Sequence, residues 1–281
     1  MTFNLGLLSM VLTGRWRIDL APFASQRLAA VPAALISSGA DVILLQEVFA
    51  PSDRAMLLAA VEEHFPFHAK ADIAPRWLGN GLLILSKHPV SDIVFEPFAD
   101  RDLLHRFYQQ GFLMVTVQLP SLGPLKLLNA HLSISAFLRH PESEPSSAGR
   151  NREIAKLLEV ARNYDADIVG GDFNCGPQNA AANYQAIVSA GYLDGFAACN
   201  GDEAAGYSWS RSNSIVAAGR YHYLPDHRVD HLFFSQGPSA RFRPTHVGLA
   251  LTAPIVKTAA GTVELSDHYA MCAGLARASA L

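Results

Sequence analysis

Apolar positions along the chain follow two periodicities, and the switches between them mark out the predicted elements. From Ser25 to Ser38, the apolar residues Leu28, Val31, Ala34 and Leu35 repeat at helical spacing. Asp41 to Glu47 is a compact apolar run that reads as a buried strand ending on two polar residues, Gln46 and Glu47. Ser52 or Asp53 is placed to cap the following helix, which extends to about His64. Gly81 to Leu85 is a further strand, closed by the turn-forming Lys87, His88 and Pro89. In the middle of the chain, Phe112–Leu119 and Leu125–His131 flank Pro120 to Pro124, the signature of a hairpin rather than a crossover. The polar, Pro/Ser-rich stretch 139–149 reads as a loop, and a helix over Asn151–Asn163 carries Ile154, Leu157, Leu158 and Ala161 on one face. Later strands are predicted at Asp167–Gly171, Arg228–Phe234 and Tyr269–Leu275. Strands joined by both helices and hairpins predict mixed sheets with helices outside, an α/β sandwich forming one domain over 1–281.

Two segments interrupt this pattern, 6–22 and 250–263. The first is unusual for a loop, because it holds Leu7, Leu8, Met10, Val11, Leu12 and Trp16 beside Arg15 and Arg17. That composition suits shallow insertion at a bilayer interface, and it equally suits a short helix packed on the core.

Composition narrows the classes. Half of the 281 residues are hydrophobic and 17% are charged, which permits a large core. Lys and Arg number only 22 against 25 Asp and Glu, a net charge of −3, so the basic footprint of a nucleic-acid binder is absent. Cys175, Cys199 and Cys272 form no CxxC pair and read as small core residues. No apolar run is long enough to span a bilayer. The chain opens on Thr2-Phe3-Asn4-Leu5, a strand already under way. Localisation stays open: secreted or periplasmic if a leader has been removed, cytoplasmic otherwise.

Polar residues recur at strand ends. Asn4, Glu47, His131, Asp172 and Asn174 each close a strand, Asp230 lies in one, and Asp267 and His268 precede the last. Side chains two apart in an extended segment point the same way, so Asp172 and Asn174 can present oxygens to one target, as Mg²⁺ requires. Gly170 and Gly171 before them allow close backbone approach. In Ser266-Asp267-His268 a carboxylate adjoins a histidine able to exchange a proton near neutrality, with Asp230 a candidate to orient the ring.

Seven segments carry a resemblance: TFNL at 2–5, DVILLQEVF at 41–49, GNGLLILSKHPV at 79–90, NAHLS at 129–133, GGDFN at 170–174, RVDHLFF at 228–234 and SDHY at 266–269. In this order they resemble the endonuclease/exonuclease/phosphatase superfamily, whose members are metal-dependent phosphoesterases. The resemblance implies a DNase I-like, four-layered α/β sandwich with two mixed, mostly antiparallel sheets. It implies Mg²⁺, with Mn²⁺ as a substitute, held by Glu47 as principal ligand together with Asn4 and Asp267. It assigns His268 as general base, Asp230 as its orienting partner, His131 to the pentacovalent phosphate and Asn174 to the phosphate. Asp172 is assigned the attacking water, a duty that competes with His268; the ordinary pKa of an imidazole favours His268.

The flanking residues are most similar to the neutral sphingomyelinase branch, through GNGLLILSKHPV, the HLS after Ala130, GYLDGF at 191–196 and YSW at 207–209. A phospholipid substrate follows, with peripheral membrane contact through 6–22, nucleic acid disfavoured and no obligate protein partner. Trp16, Trp77, Tyr108, Trp209, Tyr221 and Tyr223 are candidate platforms for a choline cation. A DNase-like endonuclease and an inositol-phosphate phosphatase are the alternatives. The His- and Asp-rich stretch 222–227, Arg220 beside it, and 139–149 match nothing specific.

Overall fold

A computed structural model describes residues 1–12, 16–71, 79–98, 110–134, 140–202, 205–219 and 221–278. In chain order its elements are β1 (Thr2–Asn4), β2 (Ser9–Leu12), β3 (Trp16–Asp19), α1 (Ala24–Ser37), β4 (Val42–Gln46), α2 (Pro51–Val61), β5 (Phe67–Lys70), β6 (Leu83–Ser86), β7 (Val90–Pro97), β8 (Gly111–Leu119) and β9 (Gly123–His131). There follow α3 (Glu144–Tyr164), β10 (Ile168–Asp172), α4 (Ala181–Ser189), β11 (Tyr192–Asp194), α5 (Gly195–Asn200), α6 (Ser214–Ala218), β12 (Asp230–Ser235), β13 (Phe242–Ala250), β14 (Val256–Thr258), β15 (Gly261–Val263) and β16 (Ala270–Arg277).

Two six-stranded sheets, ordered β13-β16-β1-β4-β6-β5 and β11-β12-β10-β9-β8-β7, form the centre. Within them β1 runs parallel to β4 and β9 parallel to β10, while the other pairings are antiparallel. Strand parity then builds the layers. On β4, Leu44 faces the other sheet, whereas Ile43 and Leu45 face α1 and α2. On β12, Leu232 and Phe234 point between the sheets, and Phe233 points toward α3 and α4. The result is the expected four-layered sandwich, with one apolar core between the sheets and one under each helical layer.

The same parity sends Thr2 and Asn4, Gln46, Asn129 and His131, Asp172, and Asp230 into the space between the sheets, with Asn4, His131, Asp172 and Asp230 at one end of it. Just below that end the sheets are bridged by a sealed polar cluster. Gln46 Nε2 donates to Asn129 Oδ1 at 2.7 Å, and Asn129 Nδ2 donates to Leu45 O at 3.0 Å. Both side chains are fully buried, so each hydrogen bond offsets a desolvation cost that would otherwise fall on an unpaired amide.

Several elements differ from the sequence reading. The second helix begins at Pro51 with Ala50 as its cap, and Asp53 instead accepts from Ser9 Oγ at 2.8 Å. The stretch read as a loop is helical from Glu144, because Pro145 suits a first turn and buried Arg150 anchors it to Pro141 O at 2.7 Å and Ile134 O at 2.6 Å. Segment 6–22 is neither a loop nor a helix: it contains the β2–β3 ribbon. Leu7 is buried in the core, while Ile18 and Leu20 are exposed. Segment 250–263 forms the β14–β15 hairpin, whose Val256 and Val263 pack into the core around α1. The edge strand β7 exposes much of its length and so carries no clear alternation. Of the cysteines, Cys175 is buried, Cys272 half-buried and Cys199 exposed. Arg15, Trp77, Tyr108, Arg139 and Arg220 lie outside the described residues.

Candidate active site

Register delivers the site. Asp172 on β10 pairs directly with Asp230 on β12 and with His131 on β9, so three polar side chains stand in one row at the strand ends. Asn4 ends β1 on the facing sheet and spans the gap: its Nδ2 donates to Asp172 Oδ2 at 2.9 Å and to Glu47 Oε1 at 3.2 Å. Glu47 follows β4 with φ of 59°, and Asn174 follows β10 with φ of 49°. Left-handed backbone at non-glycine residues costs about 1–3 kcal/mol and persists where surrounding contacts hold it. Here it turns each side chain back toward the site.

The preceding glycine has a concrete task. Gly171 has φ of +148°, and a Cβ there would meet Ala130 O at 1.9 Å. Its absence lets β10 approach β9 closely and sets the direction of Asp172, whose Oδ1 accepts from Asn174 N at 2.9 Å. Asn174 in turn donates from Nδ2 to Leu132 O at 2.8 Å.

His268 completes the group. Its Nδ1 donates to Asp230 Oδ2 at 2.8 Å, and its Nε2 lies 3.8 Å from Asp172 Oδ2. His131 Nε2 lies 3.6 Å from Asp172 Oδ2 and 3.8 Å from Glu47 Oε1. The eighth candidate, Asp267, sits with Oδ1 over the bare Cα of Gly6 and accepts from Ser266 Oγ at 3.2 Å. Thus all eight residues read from the sequence are gathered at one end of the sandwich.

The electrostatics are those of crowded carboxylates. Burial pushes the Glu47 carboxyl up, nearby Asp267 adds to this, and His131 opposes it. Burial also pushes Asp230 up, against its bond to His268. For His268 burial works downward, yet Asp230 and Asp172 more than offset it and hold the imidazole well above its ordinary value. Carboxylates on two sides of the ring thus favour its charged form. One Asp230 oxygen, Oδ1, is buried and has no close hydrogen-bond partner among the described residues. Ligand atoms of Asp172, Asp230 and His268 lie within 4.8 Å of one another, a cluster that fits a divalent cation. The excess of buried oxygen donors and the orphaned Oδ1 both fit added positive charge.

Supporting residues escaped the sequence reading. Arg27 is fully buried and donates to Leu5 O at 2.7 Å, Gly6 O at 2.5 Å and Leu265 O at 3.0 Å, tying the segment after Asn4 to the one before His268. Ser266 Oγ donates to Asn4 O at 2.7 Å, and Ser208 Oγ accepts from Asp230 N at 3.0 Å. A cation on the apolar face of α1 was a readable signal for Arg27; lone serines carry none.

The profile of the "Endonuclease/Exonuclease/phosphatase family" matches residues 1–268. The chain belongs to that family. Among family relatives, a protein described as "Putative neutral sphingomyelinase" from Drosophila melanogaster is 24% identical over 266 residues, 89% of this chain. The match covers 56% of that relative, so this chain spans little more than half its length. Sphingomyelinase C from Streptomyces griseocarneus has a similar structure, with a TM-score of 0.74 at 20% identity, over 99% of this chain and 98% of that one. So does a Staphylococcus aureus beta toxin mutant with bound magnesium ions, with a TM-score of 0.74 at 17% identity and 97% coverage of each chain. These structural likenesses establish the DNase I-like fold. Family membership and the clustered Asp172, Asp230 and His268 are consistent with a divalent-cation-dependent phosphoesterase.

Proposed function

We propose that the chain is a Mg²⁺-dependent phosphodiesterase that hydrolyses a phospholipid head-group ester, with sphingomyelin yielding ceramide and phosphocholine. The observation that carries the reaction class is the His268–Asp230 pair, bonded at 2.8 Å with Nε2 directed toward Asp172. The lipid substrate is supported by the Drosophila melanogaster and Streptomyces griseocarneus proteins, both named as sphingomyelinases. It is also supported by the absence of a basic excess.

Glu47 would hold the cation through its carboxylate, with Asp267 on the same side; Asn4, whose Oδ1 accepts from Gly6 N at 2.9 Å while its Nδ2 faces Glu47 and Asp172, would join it with its amide turned over. Nδ1 of His268 is committed to Asp230, which makes the Glu47 side the better seat than the Asp230–His268 contact. A bound Mg²⁺, or Mn²⁺ in its place, supplies polarisation of a phosphoryl oxygen and charge stabilisation of the leaving oxygen. Asp230 holds His268 in the tautomer that leaves Nε2 toward the attacking water, and Asp172 orients that water. His268 removes the proton as the water attacks phosphorus in line, without a covalent enzyme intermediate. Positive charge held near Glu47 and Asp172 would offset the carboxylates that raise the imidazole's pKa. His131 and Asn174 hydrogen-bond the phosphoryl oxygens as negative charge develops.

The test is a product assay with Mg²⁺ or EDTA, presenting sphingomyelin, phosphatidylcholine, plasmid DNA and an inositol polyphosphate in parallel. Mg²⁺-dependent phosphocholine release supports the reading. Cleavage confined to DNA or to the inositol phosphate would replace it.

A further inference from the structure

His227 is buried beside the site and has no task in the chemistry above. Its backbone pairs with Trp209, through Trp209 N to His227 O at 3.1 Å and His227 N to Trp209 O at 3.0 Å. Trp209 also bridges to His268 on its other side. Residues directly opposed in antiparallel pairing project their side chains to the same face. His227, Trp209 and His268 therefore form one row, and the His227 ring lies within electrostatic reach of both His268 and Asp172.

The ring is fixed in position and in tautomer. It stacks on Trp209 with centroids 4.8 Å apart and planes at 14°. Its Nδ1 is 2.5 Å from Pro225 O. A carbonyl oxygen only accepts, so Nδ1 carries the hydrogen and Nε2 is left with a lone pair. That Nε2 has no partner among the described residues and is not sealed from solvent. A held imidazole with a free acceptor, in line with the proposed base, is arranged to bind.

We propose that His227 is a substrate-binding residue whose Nε2 accepts a hydrogen bond from a hydroxyl or amide N–H carried beside the scissile phosphate ester. The inference rests on the lipid reading of the same site and sharpens it. Sphingomyelin carries both a secondary hydroxyl and an amide N–H next to its phosphate ester, whereas phosphatidylcholine carries ester oxygens and no donor there. An acceptor that bound lipid covers, and that the second lipid leaves unpaired, makes His227 a discriminator between sphingolipid and glycerolipid.

The test is a cycle of enzyme and substrate changes in Mg²⁺. Wild type, His227→Phe and His227→Gln are assayed on sphingomyelin, its 3-deoxy analogue and its N-methyl analogue, with folding checked by circular dichroism. Phenylalanine keeps the ring stack and removes the acceptor, while glutamine restores a polar acceptor. In wild type, kcat/KM falls about tenfold for whichever analogue lacks the bonded donor. In His227→Phe that analogue and sphingomyelin are equal, and His227→Gln recovers part of the difference. Losses that multiply independently, or analogues cleaved as fast as sphingomyelin by wild type, would overturn the assignment alone. Wild-type enzyme that releases no phosphocholine from sphingomyelin would overturn it together with the lipid reading.

Discussion

With Nδ1 committed to Asp230 and Nε2 left to the cleft, His268 can exchange a proton with substrate through one nitrogen only. His268→Ala should therefore lower turnover by about 10²–10⁴-fold with the far-ultraviolet circular dichroism unchanged; wild-type turnover would remove it as base. Asp230→Asn tests the pairing through pH. Asp230 supplies the foremost influence raising the imidazole's pKa, so its neutral replacement lowers that pKa. The acid limb of kcat/KM against pH should then move to lower pH while the plateau falls, because the ring loses its enforced tautomer. An unmoved limb would exclude the pairing. Glu47→Gln should raise the Mg²⁺ concentration needed for half-maximal activity by about tenfold or more, and an unchanged requirement would exclude Glu47 as a ligand. These residues were visible in the chain because each lies at or beside a strand end inside a recognisable motif. His227, Ser208 and Ser266 stood in quoted segments without a role, since their meaning lies in contacts with distant parts of the chain that adjacent sequence does not encode.

At the scale of elements, the strands carrying the site are held by a buried ion pair behind it. Asp194, at the end of β11, accepts from Arg228 Nη2 at 2.8 Å, Tyr184 Oη at 2.9 Å and Phe196 N at 2.9 Å. Burial alone would push its carboxyl up, but His231 and Arg228 outweigh this and hold it well below the usual carboxylate range. A folded-state pKa below the unfolded value of about 3.9 stabilises the protein above that pH, and the gain fades as pH falls toward the folded value. Asp194→Asn should thus cost about 3–5 kcal/mol at neutral pH, by stranding Arg228, with the gap from wild type narrowing below about pH 4. Urea midpoints at the two pH values check this, and a pH-independent gap would deny the ion pair its role. The 191–196 segment was read for its resemblance, whereas its carboxylate proves to be a support for β12. The β2–β3 ribbon belongs to this scale too, with Ile18 exposed in β3 and Leu20 exposed just after it. If it touches a bilayer, replacing 9–19 by a short turn should depress activity on vesicles more than on a soluble phosphocholine ester; equal losses would assign it to the fold.

Across the whole molecule, the two sheets are joined both by an apolar core and by the Gln46–Asn129 bridge. We propose that the chain folds as one domain, so that heat should unfold it in a single transition seen alike by near- and far-ultraviolet circular dichroism. Two separated transitions would divide it.

Periodicity alone determined the helices α1 and α3 in outline, the β8–β9 hairpin and the strands that carry Glu47, His131, Asp172 and Asp230. Those patterns are local, set by which face of a strand or helix must be buried. Motif order determined the family and, with it, the eight candidate residues. Only the tertiary structure decided the rest. The 6–22 and 250–263 ribbons, the start of α3 and the edge strand β7 owe their form to cross-strand partners or buried anchors rather than to their own pattern. The electrostatic setting of His268 was also decided there, because the carboxylates that raise its pKa are brought in from distant strands. Register and burial are properties of pairs, and a chain read one position at a time does not contain them.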